Sequence, residues 1–196
     1  MTRVLMTAVL GAALVAAAGA KAECPEADPA MLALSLHDFD QTARGWRSLD
    51  GEGCELQAAE MIRHYREVNA AVLAESATTL LWHEGQLRAV AGQTAEAIRL
   101  MSITREQEAE ETRPYTDATI AFLRQDREAL ISARQQLASS PMPEAFARAA
   151  ARYAATYPEF PPLRWPLNLD RVDGLIACFE QPYREAYNCD AEGKAP

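Results

Sequence analysis

Residues 81–101 read LWHEGQLRAVAGQTAEAIRLM, and this stretch predicts the fold most directly. Apolar side chains recur at intervals of three and four on both sides of Gly92, which is the spacing of amphipathic helices. Gly92 suits the left-handed residue that ends many helices. The pattern predicts one helix capped by Ser76 and ending at Ala91, and a second from Thr94 to Ile103. The two-residue turn between them requires an antiparallel helical hairpin.

The same arrangement recurs further along the chain. Thr112 and Pro114 are typical of a helix start, and this helix is expected to reach Leu123. After a turn at 124–125, Asp126 is expected to cap a further helix. Similar spacing predicts helices near 39–49, starting after Asp38, and near 55–69, 146–157 and 169–179, the last capped by Asn168. No stretch predicts a strand, so the expected fold class is all-α.

A proline-rich crossing separates the last two of these helices. Pro158 to Pro166 contains too many prolines for a helix and is too apolar for a free linker. We therefore expect Phe160, Leu163 and Trp165 to pack against the body of the protein.

The first hairpin resembles the tetratricopeptide repeat. Gly85, Gly92, Ala97 and Ile98 fall at signature positions of that family, and residues 128–130 repeat the pattern of residues 96–98 after 32 positions, near the family's period of 34. The resemblance covers about 60 residues. It implies a short array of antiparallel hairpins with a concave groove that binds a peptide or protein. A closed helical bundle is the alternative architecture.

The N-terminus has the features of an export signal. Arg3 precedes an apolar run from Val4 to Ala18, and Ala20-Lys21-Ala22 forms an A-x-A cleavage site, so residues 1–22 are predicted to be a signal peptide. The run is shorter than the roughly 20 residues of a membrane span, and no later run is as long. We expect a single periplasmic or secreted bacterial domain over 23–196 with no membrane span. Lipidation of Cys24 is disfavoured by the lysine and glutamate before it.

All four cysteines lie after the predicted cleavage site, and an even number in an exported chain indicates two disulfides. Three pairings are possible. We favour Cys24–Cys54 and Cys178–Cys189, because each pair brackets one helical stretch near one end of the chain. A zinc site is disfavoured because no two cysteines have the C-x-x-C spacing of zinc ligands.

Composition and charge exclude several classes of protein. Hydrophobic residues make up 49% and charged residues 24% of the chain, which is typical of a folded globular protein and not of a disordered one. After the predicted signal there are 17 basic and 28 acidic side chains, a net charge of −11. Nucleic acid is therefore not an expected partner.

No catalytic motif is present. His37, His64 and His83 lack metal-ligand spacing and are expected to be structural, and the sequence contains no nucleophile elbow and no phosphate or dinucleotide loop. We predict no cofactor and no metal. A carboxylate pair leaves no sequence signature, so a cell-envelope hydrolase stays as the alternative, with candidates in the acidic run Glu106, Glu108, Glu110 and Glu111 and at Asp117.

Three polar residues lie at or near faces that point inward in a hairpin array. Arg88, Tyr115 and Asp117 are therefore the candidate groove residues, because buried polar groups need partners and a groove can supply them. We predict a binding or scaffolding module for a peptide or protein rather than an enzyme. A purely structural envelope protein without a groove is a third possibility.

Overall fold

The computed structural model describes residues 23–194, and the predicted signal peptide lies outside them. Within that range every regular element is helical, so the all-α prediction is confirmed. Three short 3-10 turns occur, at Pro29–Ala33, Trp46–Ser48 and Ala74–Ala77. The ten α-helices of the described chain are α1 (Leu36–Gln41), α2 (Glu55–Val68), α3 (Ala70–Leu73), α4 (Thr78–Val90), α5 (Thr94–Gln107), α6 (Arg113–Leu123), α7 (Arg127–Ala138), α8 (Glu144–Thr156), α9 (Leu169–Ala177) and α10 (Tyr183–Asn188).

Two antiparallel hairpins form the centre of the molecule, as predicted. Helices α4 and α5 pair across a turn at 91–93, where Gly92 has a φ of 78°, and α6 pairs with α7 across 124–126. At Gly85 a side chain would meet Met101, with a Cβ only 3.1 Å from Met101 Cγ, so the glycine allows α4 and α5 to touch. Helix α5 also packs on α6, which stacks the hairpins. The specific resemblance to the tetratricopeptide repeat stays a prediction.

Two helix boundaries differ from the prediction in this hairpin. Helix α4 begins at Thr78, after the 3-10 turn that contains Ser76, so Ser76 is not its N-cap. Helix α5 continues past Ile103 to Gln107 because Thr104 extends the buried stripe by one more turn and is 2% exposed. The hydroxyl of Thr104 donates to the Leu100 carbonyl, so the helix itself supplies its partner.

The prediction of one helix over 39–49 is wrong. Helix α1 ends at Gln41, and its N-cap is Ser35, whose hydroxyl accepts from the Asp38 amide at 3.1 Å. The chain folds back so closely at Gly45 that a Cβ there would lie 1.9 Å from the Phe39 carbonyl oxygen. The Trp46 indole then donates to Asp40 Oδ1 at 2.9 Å. This contact across the turn replaces continued helix.

The hydrophobic core has two parts that meet along α4. The N-terminal part contains Phe39, Ile62 and Leu80 and includes Leu87 of α4. The C-terminal part surrounds Phe122 and includes Ala89, two residues further along α4. Helix α4 thus presents one face to each part of the core, which makes it the element that joins them.

The C-terminal helices close the structure. Helix α9 packs on α6 and α7, and α10 folds back against both α9 and α4. Arg184 of α10 forms an ion pair with Glu55 at the start of α2. The last helix therefore reaches the N-terminal half of the molecule.

Both predicted disulfides are present. Cys24 is bonded to Cys54, with Cα atoms 5.4 Å apart, and ties the N-terminal segment to the start of α2. Cys178 is bonded to Cys189, with Cα atoms 6.4 Å apart, and ties the end of α9 to the end of α10. The prediction that disulfides staple the two ends is confirmed.

Residues 141–167, which we call the arm, stand apart from this packing. Helix α8 has no buried residue and packs closely on none of the other described helices. Its apolar side faces the returning chain instead, with the Phe146 and Trp165 rings 5.0 Å apart. The expectation that Phe160 and Leu163 pack against the body is wrong. They are 55% and 40% exposed because the arm folds on itself, with Phe160 against Tyr157.

Candidate functional site

A cavity of about 550 Å³ lies between α4, α5, α6 and the base of the arm. We call it the groove. Its walls are mostly apolar and aromatic, with threonine hydroxyls and two carboxylates among them. The lining residues are Thr78, Thr79, Trp82, Thr104, Glu108, Glu111, Thr112, Tyr115, Leu137, Trp165, Leu167 and Asn168.

Aromatic rings from two stacked helices form one wall of the groove. The Trp82 ring of α4 lies 5.2 Å from the Tyr115 ring of α6, with 53° between their planes. The Tyr115 hydroxyl is 3.2 Å from the Tyr187 hydroxyl of α10. Burial is the main cause that raises the pKa of Tyr115, so the phenol stays neutral. The hydroxyl of Tyr115 is thus fixed by Tyr187, and its ring forms part of the groove wall.

The arm also contributes to the groove lining, through Trp165 and Leu167. The Trp165 indole donates to the Ser140 carbonyl at 2.9 Å, which closes the arm at its base. Leu167 is 46% exposed, so an apolar side chain is presented at the groove edge. The groove and the apolar surface of the arm are therefore continuous.

Glu108 gives the groove its acidic character. It follows directly after α5, and both of its carboxylate oxygens accept from the Thr116 hydroxyl, at 2.8 and 2.9 Å. Burial raises the pKa of Glu108 and the charge of Asp117 adds to this, while the Thr116 hydrogen bond and nearby arginines oppose it. Within residues 23–194, Glu108 forms no ion pair. Glu111 is exposed at the same groove.

The three candidate groove residues do not lie together. Tyr115 lines the groove. Asp117 forms a two-point ion pair with Arg105, at 2.5 and 3.1 Å, and lines a separate, smaller cavity. Arg88 is buried against α2, where its guanidinium donates to Glu84 and Glu60. Two positions along a helix differ by about 200°, so Tyr115 and Asp117 point to opposite sides of α6.

Two residues of the groove were not predicted as groove residues: Trp82, and Glu108, which was considered only as part of an acidic run that could serve a hydrolase. Trp82 also packs against the C-terminal part of the core. Trp82 lies on the apolar stripe of α4, and a stripe alone does not distinguish a core face from a groove face. Trp82 lies on α4 and Tyr115 on α6, and these are the first helices of the two hairpins. This correspondence was the one feature of the sequence that could have predicted that the two rings lie together.

A second polar cluster surrounds Asp40, which is 3% exposed. His83 Nδ1 lies 2.7 Å from Asp40 Oδ1, and the Trp46 indole donates to the same oxygen. Burial works to raise the pKa of Asp40, but the hydrogen bonds from His83 and Trp46 outweigh it and hold the pKa below its usual value. Each group satisfies the others, so His83 has the structural role expected from the sequence.

Comparison with protein-family models, with curated proteins and with solved structures found no match for this chain. Within residues 23–194, no group of three or more histidine, cysteine or acidic side chains is placed to hold a metal ion. None of the helices in that range is both long and apolar enough to cross a membrane.

Proposed function

We propose that this protein is an exported binding module whose groove and arm together hold a segment of a peptide or protein partner. The observation that carries the proposal is the arm, whose amphipathic helix α8 packs closely on no other described helix and whose return segment supplies Trp165 and Leu167 to the groove. Folding usually covers clustered apolar side chains, so a segment that leaves several of them exposed is typical of an interaction surface.

Exposed apolar side chains are concentrated on the arm. The described chain has nine exposed large hydrophobic residues, and five of them fall within the 27 residues of the arm. They are Met142, Tyr157, Phe160, Leu163 and Leu167. Apolar residues scattered singly over a surface need no explanation, but a cluster of this kind next to a groove indicates a place where a partner binds.

The charge of the arm differs from that of the whole protein. The arm contains three arginines and two glutamates, whereas the full chain has a formal net charge of −9. The groove beside it has two carboxylates and no basic side chain among its lining residues. A partner that crosses from groove to arm meets a negative site first and a slightly positive, apolar surface next. Such a pattern orients a bound segment.

The disulfides support the proposed location. Disulfides persist in oxidising compartments outside the bacterial cytosol, and this chain has two of them. Together with the export signal expected at residues 1–22, they favour a periplasmic or secreted partner.

The proposal is tested by a matched pair of surface variants. Leu167 at the groove edge is 46% exposed, and Leu56 on α2, outside the groove and the arm, is 41% exposed. We expect chemical crosslinking in the cell envelope to capture the same partner with the wild-type chain and with Leu56→Glu. Leu167→Glu should capture at least about tenfold less, because it places a charge in an apolar contact. Equal capture by both variants, or no partner at all, overturns the proposal.

A hydrolase is the second candidate, and one observation favours it. Glu108 and Glu111 line the same groove, and the raised pKa of Glu108 is the property that a general acid needs. If the protein cleaves a cell-wall glycan, purified wild-type protein should release soluble fragments and Glu108→Gln should release none. Absence of fragments with the wild-type protein rejects this candidate.

A further inference from the structure

Each of the three buried carboxylates in residues 23–194 has a basic side chain beside it, and the half-buried Glu108 does not. Asp40 is paired with His83, Glu55 with Arg184, and Glu84 with two arginines. Glu108 is half-buried, and the described chain offers its carboxylate only the neutral hydroxyl of Thr116. Burial of a carboxylate is unfavourable unless a cation or several hydrogen bonds compensate it.

The two arginines near Glu108 are already used. Arg105 is held by both oxygens of Asp117, and Nε of Arg113 donates to the main-chain carbonyl of Glu108 at 3.1 Å. Neither forms an ion pair with the Glu108 carboxylate. The positive charge that would complement this side chain is therefore not supplied by the described part of the protein.

The surroundings of Glu108 favour a particular kind of cation. Trp82 and Tyr115 line the same groove with 53° between their ring planes, and Trp165 is a third aromatic residue of the lining. The faces of aromatic rings are electron-rich and attract organic cations, and tryptophan does so most strongly. A metal ion or a bare ammonium ion is strongly hydrated and gains less from apolar walls than a cation covered by alkyl groups does.

From these observations we infer that the groove binds an organic cation, with its positive charge beside Glu108 and its alkyl surface against Trp82 and Tyr115. The inference rests on the proposed function and names the group that the groove selects. A quaternary ammonium compound and the lysine or arginine side chain of a partner share this chemistry. The groove volume of about 550 Å³ admits either.

The first test uses the wild-type chain. Choline and its neutral carbon isostere 3,3-dimethylbutan-1-ol have almost the same shape and differ in charge. We expect choline to change the tryptophan fluorescence at a concentration at least about tenfold lower than the isostere does, because only the cation gains from Glu108 and the ring faces. Equal affinities, or no binding of choline and of blocked lysine and arginine, overturn the inference.

The second test uses a matched pair of glutamates. Glu108 lines the groove, whereas Glu106 is exposed on α5, outside the lining. Glu108→Gln should weaken the binding of choline at least about tenfold, and Glu106→Gln should leave it unchanged. If both variants bind as tightly as the wild type, the carboxylate is not the recognition group. The comparison of choline with its isostere does not depend on any variant folding.

Blocked amino acids distinguish the two sources of the cation. If N-acetyl-lysine amide or N-acetyl-arginine amide binds more tightly than choline, the cation belongs to a partner's side chain. If choline binds more tightly, the cation is a free quaternary ammonium compound. Both results support the inference. The capture experiment with Leu167→Glu is independent of this order. A partner that is captured but not displaced by any of the three cations leaves the proposed function standing and overturns the cation inference.

Discussion

Buried charge is the feature that most distinguishes individual residues in this protein. Glu84 is fully buried on α4, where it accepts from Arg66 of α2 and from Arg88 of its own helix. Burial works against the charge of Arg88, but hydrogen bonds to Glu84 and Glu60 outweigh it and raise the pKa of Arg88. The arrangement fixes α2 against α4 by charge as well as by apolar contact.

The first prediction concerns this network. Arg88→Ala leaves the fully buried Glu84 with only one of its two arginines, and loss of a partner from a buried ion pair costs about 3–5 kcal/mol of unfolding free energy. Arg99→Ala is the matched control, because Arg99 pairs with Glu96 at the surface and is 56% exposed. We expect that control to change stability by less than about 0.5 kcal/mol in urea unfolding. Similar losses in both variants would contradict the role assigned to burial.

The second prediction follows from the raised pKa of Glu108. Because folding raises this pKa above its ordinary value of 4.5, the folded state holds the proton more tightly than the unfolded chain does. The resulting stabilisation is complete below pH 4.5 and is lost as the pH rises through the raised pKa. Asp117 adds to the shift, and Arg105 and Arg113 reduce it.

Glu108→Gln should therefore be more stable than the wild type at pH 7, by roughly half a kcal/mol since the side chain is only partly buried, and should match it at pH 4. Thermal unfolding at the two pH values, with Glu106→Gln as the control, measures the difference. A variant that is less stable than the wild type at pH 7 would show that the Thr116 hydrogen bonds outweigh burial. A gain in stability together with a loss of choline binding is the trade-off typical of a binding site.

At the scale of elements, helices defined by local signals were predictable from sequence. Gly92 ends α4, and the Asp126 side chain accepts from the Ala129 amide as the N-cap of α7. Both features depend on residues close in the chain. The helix predicted over 39–49 failed because the approach of Gly45 to Phe39 reverses the chain. Such an approach depends on how the two segments pack, and the spacing of apolar residues along the sequence does not predict it.

The candidate site was less predictable than the fold. The spacing of Phe146 and Tyr153 correctly predicted helix α8, but an amphipathic pattern does not say whether the apolar side meets the core, a return segment or a partner. Of the three candidate groove residues, only Tyr115 lines the groove. Arg88 found its partner on α2, which lies 28 residues earlier at Glu60, and sequence gives no indication of that pairing.

The third prediction concerns the contact between α9 and α10. At Gly174 a Cβ would lie 2.3 Å from the Cys189 carbonyl oxygen and 3.1 Å from that of Ala186, so the backbones touch there. Gly174→Ala should force the helices apart and destabilise the protein by about 3 kcal/mol in denaturant unfolding. Gly51→Ala is the control, because a Cβ at Gly51 meets nothing within 4 Å, and it should stay within about 0.5 kcal/mol of the wild type. A neutral Gly174→Ala would mean that α10 is not packed on α9 as described.

For the whole molecule, the two parts of the core are connected in three places. They share α4 through Leu87 and Ala89, α10 packs back on α4, and Arg184 reaches Glu55. The disulfides lie outside this shared region, one at each end. We therefore expect one cooperative unfolding transition whose midpoint depends on both disulfides, and not two transitions for two subdomains.

The fourth prediction separates the two disulfides. In the loop-entropy description, Cys24–Cys54 closes a loop of 30 residues and should contribute about 3.5 kcal/mol, and Cys178–Cys189 closes a loop of 11 and should contribute about 3 kcal/mol. Paired Cys→Ser variants of each disulfide, unfolded in urea, should lose these amounts in a single transition detected equally by far-ultraviolet circular dichroism and tryptophan fluorescence. Separate transitions for the two signals would show that the halves unfold independently, and that α4 and α10 do not couple the ends of the chain. An unchanged midpoint in either paired variant would show instead that the corresponding end is held by its packing alone.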